Sequence, residues 1–347
     1  MSEAANTAPA EAIAAPDDDF DREQPQPWWA KLVGGSSIWI GLILVGLIAA
    51  FAIVEPSNFV SVANARNIST DAAILLVLAT GQTFVIITAG IDLSVGSVLV
   101  FAGVMSAKAM DWVGGEGTGT IVVGLISALF FGGLWGWLNG FLVAKARITP
   151  LIVTLGTFGM ALGAALVITG GIDEREIPYD LIDTVGTGRL FGEIPWLVII
   201  ALVVAAVFGV LLAKTRFGRF TYAVGSNAEA ARRAGISVDR HLIKVYALAG
   251  VLAGLAGWLS LARFGTTTIG GHATDNLQSI TAVVIGGTSL FGGIGSVLGT
   301  VFGVFIPAVL QNGFVITGVQ PFWQQIAVGA VLIAAVYLDQ LRRSRNR

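Results

Sequence analysis

Of the 347 residues, 55% are hydrophobic and 12% charged, against roughly 25% charged in a soluble domain, so the chain reads as an all-α integral membrane protein. Its net charge of −2 leaves no footprint for a nucleic-acid partner, and the absence of cysteine excludes a disulfide framework and a thiolate metal site. Apolar runs of about 20 residues recur, each able to cross a hydrocarbon core of about 30 Å, whereas the alternating segments of an outer-membrane barrel do not appear.

Residues 1–30 are Ala/Pro-rich and acidic (Glu3, Glu11, Asp17, Asp18, Asp19, Asp21, Glu23), a composition expected to stay disordered. They lack the basic start and apolar core of a cleaved signal peptide, so the first membrane helix is expected to remain as an anchor. Ten spans follow, at about 38–54, 72–89, 94–110, 121–143, 149–169, 196–213, 243–262, 277–287, 295–310 and 322–339, within a membrane domain over 31–341 that ends in a basic tail at 342–347. The eighth span is short and runs into Gly286-Gly287-Thr288-Ser289-Leu290-Phe291-Gly292-Gly293. It is expected to be broken or re-entrant, since irregular backbone at that depth survives only when buried in protein or lining a wet cavity. Gly96-Ser97-Val98-Leu99 is echoed by Gly295-Ser296-Val297-Leu298, too short a match in a chain with 45 glycines to establish a repeat.

Orientation follows from Lys and Arg. With the N-terminus inside, 15 of the 20 basic residues fall on inner segments, leaving Arg66, Lys108, Arg175, Arg189 and Arg263 outside. Both termini and the central polar stretch 214–244 are thus expected in the cytoplasm, and the acidic loop Gly170 to Pro195 outside. Trp112, Trp196 and Trp323 fall at outer ends and Trp28 and Trp29 at the inner edge, as an interfacial belt would have them.

The stretch 214–244 carries the strongest local signal. Ser226 precedes Glu229 by three residues, the spacing of a capping box; Arg232 and Arg233 lie where positive charge complements a helix C-terminus; and Gly235 supplies a left-handed cap. The expected helix, about two turns, is too short to persist alone in water. It is therefore expected to rest on a partner, through a small face of Ala230, Ala231 and Ala234.

Catalytic and metal chemistry find no support. His241 and His272 fall on opposite sides and read as interfacial residues. No glycine-lysine pair is followed by Ser or Thr, so the chain lacks a phosphate-binding P-loop, and any ATP-driven function takes its ATPase, with ATP and Mg, from another chain. An ion-coupled carrier would hold charges deep in its spans; Asp92, the main candidate, reads as a helix cap. Neutral polar side chains are plentiful instead: Gln82, Thr83, Thr88, Asn139, Thr154, Thr157, Gln278, Thr281, Gln311, Asn312, Gln324 and Gln325. They suit an uncharged, hydroxyl-rich solute, and equally bind helices together in lipid. Gln278, Thr281, Asn312 and Gln324, around the short eighth span, are the path-lining candidates.

From Pro56 to Leu338 the chain resembles the permease subunits of bacterial ABC importers for sugars, in the ribose-type branch. The resemblance rests on Asn58-Phe59, Gly90-Ile91-Asp92-Leu93-Ser94-Val95-Gly96-Ser97, Gly218-Arg219 and Gly225-Ser226-Asn227 with Ala230-Ala231 and Gly235-Ile236, then Ala282 to Leu290 followed by Gly292-Gly293. It implies about ten spans per subunit, two permease subunits (expected to be copies of this chain), two ATPase domains beneath and an extracytoplasmic solute-binding protein, all at the bacterial cytoplasmic membrane. It also implies that Ser226, Asn227, Glu229, Ala230, Ala231, Arg232 and Gly235 form the coupling helix held by the ATPase. Asn276-Leu277-Gln278-Ser279 stands where many ribose-type members carry acids, so the particular sugar stays open, as does a branched-chain amino acid, the cargo of related permeases.

Overall fold

The computed structural model describes residues 36–320 except 273, together with 323, 326, 329, 330, 333 and 337. The tails at 1–30 and 342–347 and most of the span expected at 322–339, Gln324 included, lie outside the described residues. Eleven helices are labelled here: α1 Ser36–Val54, α2 Val62–Ile87, α3 Val95–Val113, α4 Thr118–Ala144, α5 Pro150–Thr169, α6 Trp196–Lys214, α7 Arg216–Ser226, α8 Ala228–Arg233, α9 Val238–Phe264, α10 Asp275–Ile285 and α11 Val297–Ile316. Among the described residues seven helices, α2 to α6, α9 and α11, are long and apolar enough to cross a membrane. The chain is therefore a multi-pass membrane protein.

Two helices begin before their apolar runs. α2 starts at Val62, ten residues ahead of the expected span, because Ser61 accepts a hydrogen bond from the Asn64 N–H at 3.1 Å and caps a polar first stretch. α9 starts at Val238. Hydropathy registers the lipid-facing part of a helix and misses polar turns beyond it. α10 has 11 residues, a rise of about 16 Å, and gives way to non-helical backbone before α11, which Ser296 caps at Gly299 N (3.0 Å).

The core is built on α2, α3 and α9. In their most apolar windows 94%, 72% and 78% of residues are buried, against 22% for α4 and α6 and 28% for α5, whose apolar outer faces are left exposed. α9 crosses α4 almost without side chains between them. Ala128, Gly132, Gly136 and Gly140 recur every fourth residue along α4 and meet Tyr246, Gly250 and Gly254 of α9; a Cβ on either Gly132 or Gly250 would overlap the carbonyl of the other. Contact between backbones replaces the hydrophobic drive that helices in lipid lack. Hydroxyls add bonds between helices, Ser106 to the Gly124 carbonyl at 2.8 Å and Thr83 to Thr300 at 2.8 Å.

α2 and α9 run antiparallel. Arg263, near the end of α9, pairs with Asp71 near the start of α2 (3.2 Å), and residues near the start of α9 lie beside the end of α2. This gives the molecule two ends: one carries α7 and α8, the other the loops after α5 and α9. The loop after α5 holds a small hairpin of Arg189–Leu190 against Ile194–Pro195. It is tied down where the Asp173 carboxylate accepts from the Thr267 hydroxyl (3.1 Å) and the Ile269 N–H (2.7 Å).

Candidate functional site

At the first end, α6 stops at Lys214 and Thr215 turns the chain, its hydroxyl accepting from Gly218 N at 3.3 Å to cap α7. The next cap differs from the sequence expectation. Ser226 is the last residue of α7, and Asn227 caps α8 by accepting from Ala230 N at 2.9 Å. The capping box fails because Asn227, with extended backbone at φ −161°, already supplies the acceptor one residue nearer. Glu229 instead accepts from Arg232 (3.3 Å) and Arg233 (3.2 Å). Arg232 and Lys145 also pair with Asp239, at 3.5 and 3.1 Å, tying α8 to the ends of α9 and α4. Gly235 adopts φ +84°, and Ile236 N bonds back to the Ala231 carbonyl at 3.0 Å, closing the helix with a left-handed residue.

α8 is six residues long, and its small face is not wholly open. Ala231 is buried against Val224 and Val238 of this chain, which leaves Ala228, Glu229, Ala230, Arg232, Arg233 and Ala234 exposed.

The same segment is locked to the membrane core. A Cβ at Gly225 would overlap the Ile87 carbonyl at the end of α2, and that carbonyl also accepts from Gly293 N at 2.9 Å. The Tyr222 hydroxyl donates to the Gly295 carbonyl at 2.7 Å; burial raises its pKa, which keeps it a donor. His241, buried, is hydrogen-bonded to Thr221 at 3.0 Å and packs on Phe217, with ring centroids 4.8 Å apart. It is part of the packing between α7 and α9 rather than an interfacial residue.

The Gly90 to Ser97 motif forms the buried turn from α2 into α3. Asp92 accepts from Ser94 N (2.8 Å) and Ser94 Oγ (2.6 Å), so it closes a turn ahead of α3 and Ser94 itself takes the cap position. Gln82, Thr154 and Asn276 donate to the carbonyls of Asp92, Ile91 and Leu93 at 3.2, 3.1 and 3.1 Å. Asn139 donates to Ser94 Oγ at 2.8 Å. Gln82, Thr154 and Asn276 thus satisfy backbone carbonyls, and Asn139 a side-chain hydroxyl. Ser97 lies inside α3 whereas Ser296 precedes α11, so the two Gly-Ser-Val-Leu segments are not structural equivalents.

At the second end a cavity of about 540 Å³ is lined by Asn67, Asp71, Ile74 and Leu75 of α2, Arg263 and Phe264 of α9, Gly271, His272 and Thr274 of the following loop, Asp275 and Gln278 of α10, and Ala308, Gln311, Asn312 and Val315 of α11. Asp71 is ion-paired with Arg263, and Asp275 is hydrogen-bonded to His272 Nδ1 at 2.7 Å. His272 Nε2 is hydrogen-bonded to Ser260 at 2.7 Å, so this histidine too is buried rather than interfacial. Asn312 Oδ1 and Arg263 Nε, atoms of two lining residues, are themselves buried without a hydrogen-bond partner. A neighbouring cavity of about 310 Å³, mostly apolar, shares His272 and reaches Ser97, Phe158, Leu162 and Asp173.

Of the path candidates, Gln278 and Asn312 come together on the larger cavity. Thr281 does not line it; its hydroxyl bonds back to the Leu277 carbonyl at 2.7 Å inside α10. The sequence reading passed over the Asp71–Arg263 pair, the Ser260–His272–Asp275 chain and the Tyr222–Gly295 bond. None leaves a local pattern, since the partners sit on different elements or flank a loop.

Residues 64–336 match the family described as branched-chain amino acid transport system / permease component. The chain is 34% identical over 307 residues to the fructose import permease protein FrcC of Rhizobium meliloti, covering 86% of this chain and 84% of that protein. It is 34% identical over 299 residues to the D-allose transport system permease protein AlsC of Escherichia coli K12 (86% and 90%). With the ribose import permease protein RbsC of the same organism it shares 36% identity over 305 residues (87% and 93%). No solved structure matches the chain.

Proposed function

Because the chain belongs to the branched-chain amino acid transport system permease component family, we propose that it is the membrane-spanning subunit of an ATP-driven importer that carries a sugar or polyol into the cytoplasm. It is a transport component rather than an enzyme. The relatives are named as import or transport permeases for fructose, D-allose and ribose, and the larger cavity is the observation that carries the substrate class to this chain. Its lining is rich in amides, Asn67, Gln278, Gln311 and Asn312, whose N–H groups and carbonyl oxygens suit a hydroxyl, which both gives and accepts, and Asp71 is already bound to Arg263. A branched-chain amino acid would need unpaired countercharges for its ammonium and carboxylate, which Asp71 and Arg263 do not offer while bound to each other.

In this reading the membrane domain has ten spans, of which the eighth, α10, enters only partway, and α7 and α8 face the cytoplasm with both termini. Ser226, Asn227, Glu229, Ala230, Ala231, Arg232 and Gly235 belong to the coupling element. The exposed side of α8 rests on a separate ATPase that holds ATP and Mg. A second copy of this chain completes the path, and a solute-binding protein delivers cargo to the end bearing the polar cavity. Gln278 and Asn312 meet the solute. Gln324 is kept as a path candidate on sequence grounds, while Thr281 contributes to α10 itself.

Proteoliposomes holding this chain, its ATPase and its solute-binding protein test the reading with a panel of labelled sugars, polyols and amino acids. ATP-dependent uptake confined to sugars or polyols is expected. Uptake by this chain alone down an ion gradient would make it a secondary carrier.

A further inference from the structure

α6 spans 19 residues from Trp196 to Lys214, about 28 Å, close to the roughly 30 Å of a hydrocarbon core. Lys214 therefore stands at headgroup level. The chain turns there: Thr215 is extended (φ −101°, ψ 166°), and a Cβ on Gly218 would overlap the Leu212 carbonyl, so α7 folds closely against the end of α6 at that depth. One face of α7 is packed, with the Phe217 ring centroid 6.0 Å from that of Phe84 and 4.8 Å from His241. Arg216, Arg219 and Phe220, spaced i, i+3 and i+4, share another face, and all three are exposed. The Phe220 ring centroid lies 6.2 Å from that of His241, so this face adjoins the first turns of α9, where Arg240 and Lys244 are exposed on either side of the histidine.

Among the described residues, Lys214, Arg216, Arg219, Arg240 and Lys244 make no ion pair, while the acids at this end, Glu229 and Asp239, are already joined to Arg232, Arg233 and Lys145. Unpaired cations around an exposed phenyl ring, at headgroup depth, are the chemistry of an anionic lipid surface: phosphate for the cations and the upper acyl region for the ring. We propose that the seam between α7 and α9, formed by Lys214, Arg216, Arg219, Phe220, Arg240 and Lys244, binds the headgroup of an anionic phospholipid. The bound lipid holds α7, and with it α8, at a fixed height on the membrane.

The test uses the full chain in mild detergent with an equimolar mixture of phosphatidylglycerol and phosphatidylcholine, bound lipid being counted by native mass spectrometry. Each cation at an anionic surface strengthens attraction about fivefold, so the wild type should retain phosphatidylglycerol by at least that factor. The variant R216Q/R219Q/K244Q should fall close to parity, while R175Q/R189Q, altered at the other end, should match wild type. Excess inorganic phosphate should leave the lipid in place. Wild-type parity between the two lipids, or undiminished selectivity in the triple variant, would overturn the proposal. Displacement by phosphate would also overturn it, by making the seam a free-anion site. Co-purification of the ATPase is read in parallel: a triple variant that loses the ATPase but keeps lipid selectivity would give the face to the ATPase and refute the lipid assignment, leaving the importer reading intact.

Discussion

The Tyr222 hydroxyl donates to the Gly295 carbonyl at 2.7 Å, joining α7 to the backbone just before α11 across 73 residues of sequence. With the Gly225 contact on Ile87, it makes α7 a bridge between the exposed α8 and both the end of α2 and the start of α11. Tyr222→Phe removes the donor and leaves a carbonyl short of a partner, at about 1 kcal/mol for a half-buried group. Uptake per ATP hydrolysed is expected to drop severalfold while the ATPase stays bound. Unchanged stoichiometry in proteoliposomes would refute the bridge.

Asn227, not Ser226, caps α8. Asn227→Ala should weaken α8 by about 1 kcal/mol and reduce co-purification of the ATPase, whereas Ser226→Ala should leave the cap untouched. Glu229→Lys sets a third cation beside Arg232 and Arg233, and Gly235→Pro forbids the φ of +84° found there. Both should shed the ATPase without loss of membrane insertion. Equal ATPase recovery from all four variants would dissociate α8 from coupling.

The chain has no cysteine, so Ala230→Cys places a single thiol on the exposed side of α8. Impermeant thiol reagents should label it in inside-out vesicles and not in intact cells. Labelling from outside would invert the topology.

Gln278 and Asn312 line the polar cavity while Thr281 is bonded within α10. Gln278→Ala and Asn312→Ala are expected to lower uptake or change its sugar preference with ATPase binding intact, and Thr281→Ala to stay near wild type. The Michaelis constant and maximal rate for each sugar provide the check; identical behaviour of the three variants would remove the cavity from the path.

Gly132→Val would drive a branched side chain into the Gly250 carbonyl and the backbone of Gly254. The overlap should cost about 3 kcal/mol and appear as a lower melting midpoint on size-exclusion of the heated protein. Gly156→Val on α5, with nothing within 4 Å of its Cβ position, is the control expected to melt like wild type.

Most of the membrane crossings were legible because hydropathy reports contact with lipid directly; α3, α4, α5 and α6 fall within three residues of expectation at each end. The polar start of α2 was not, since a first stretch held by the Ser61 cap, the Asn64 bond to the Phe59 carbonyl and the Asp71–Arg263 pair needs no apolar run. At α8 the helix and its glycine terminator are readable, but Ser226 and Asn227 both suit the cap by residue type; the choice falls to Asn227 because the preceding helix runs on through Ser226 and Asn227 is the residue with extended backbone. Gln278 and Asn312 were recognisable as neutral polar groups beside a short span. Arg263 and Asp71, 192 residues apart, and the histidine joining Ser260 to Asp275 come together only through the antiparallel run of α2 and α9, which no local spacing encodes.

α9 extends through 27 residues from Val238, beside α8, to Phe264 at the rim of the polar cavity, roughly 40 Å of unbroken helix. Its glycines do not soften it, because Gly250 and Gly254 are wedged against the backbone of α4. Near its first turn stand Asp239 and His241, and near its last stand Ser260 and Arg263, which hold His272 and Asp71. An unbroken helix of that length places the segment that carries α8 and the residues that line the polar cavity on one element, so a change in the tilt of α9 would move both at once.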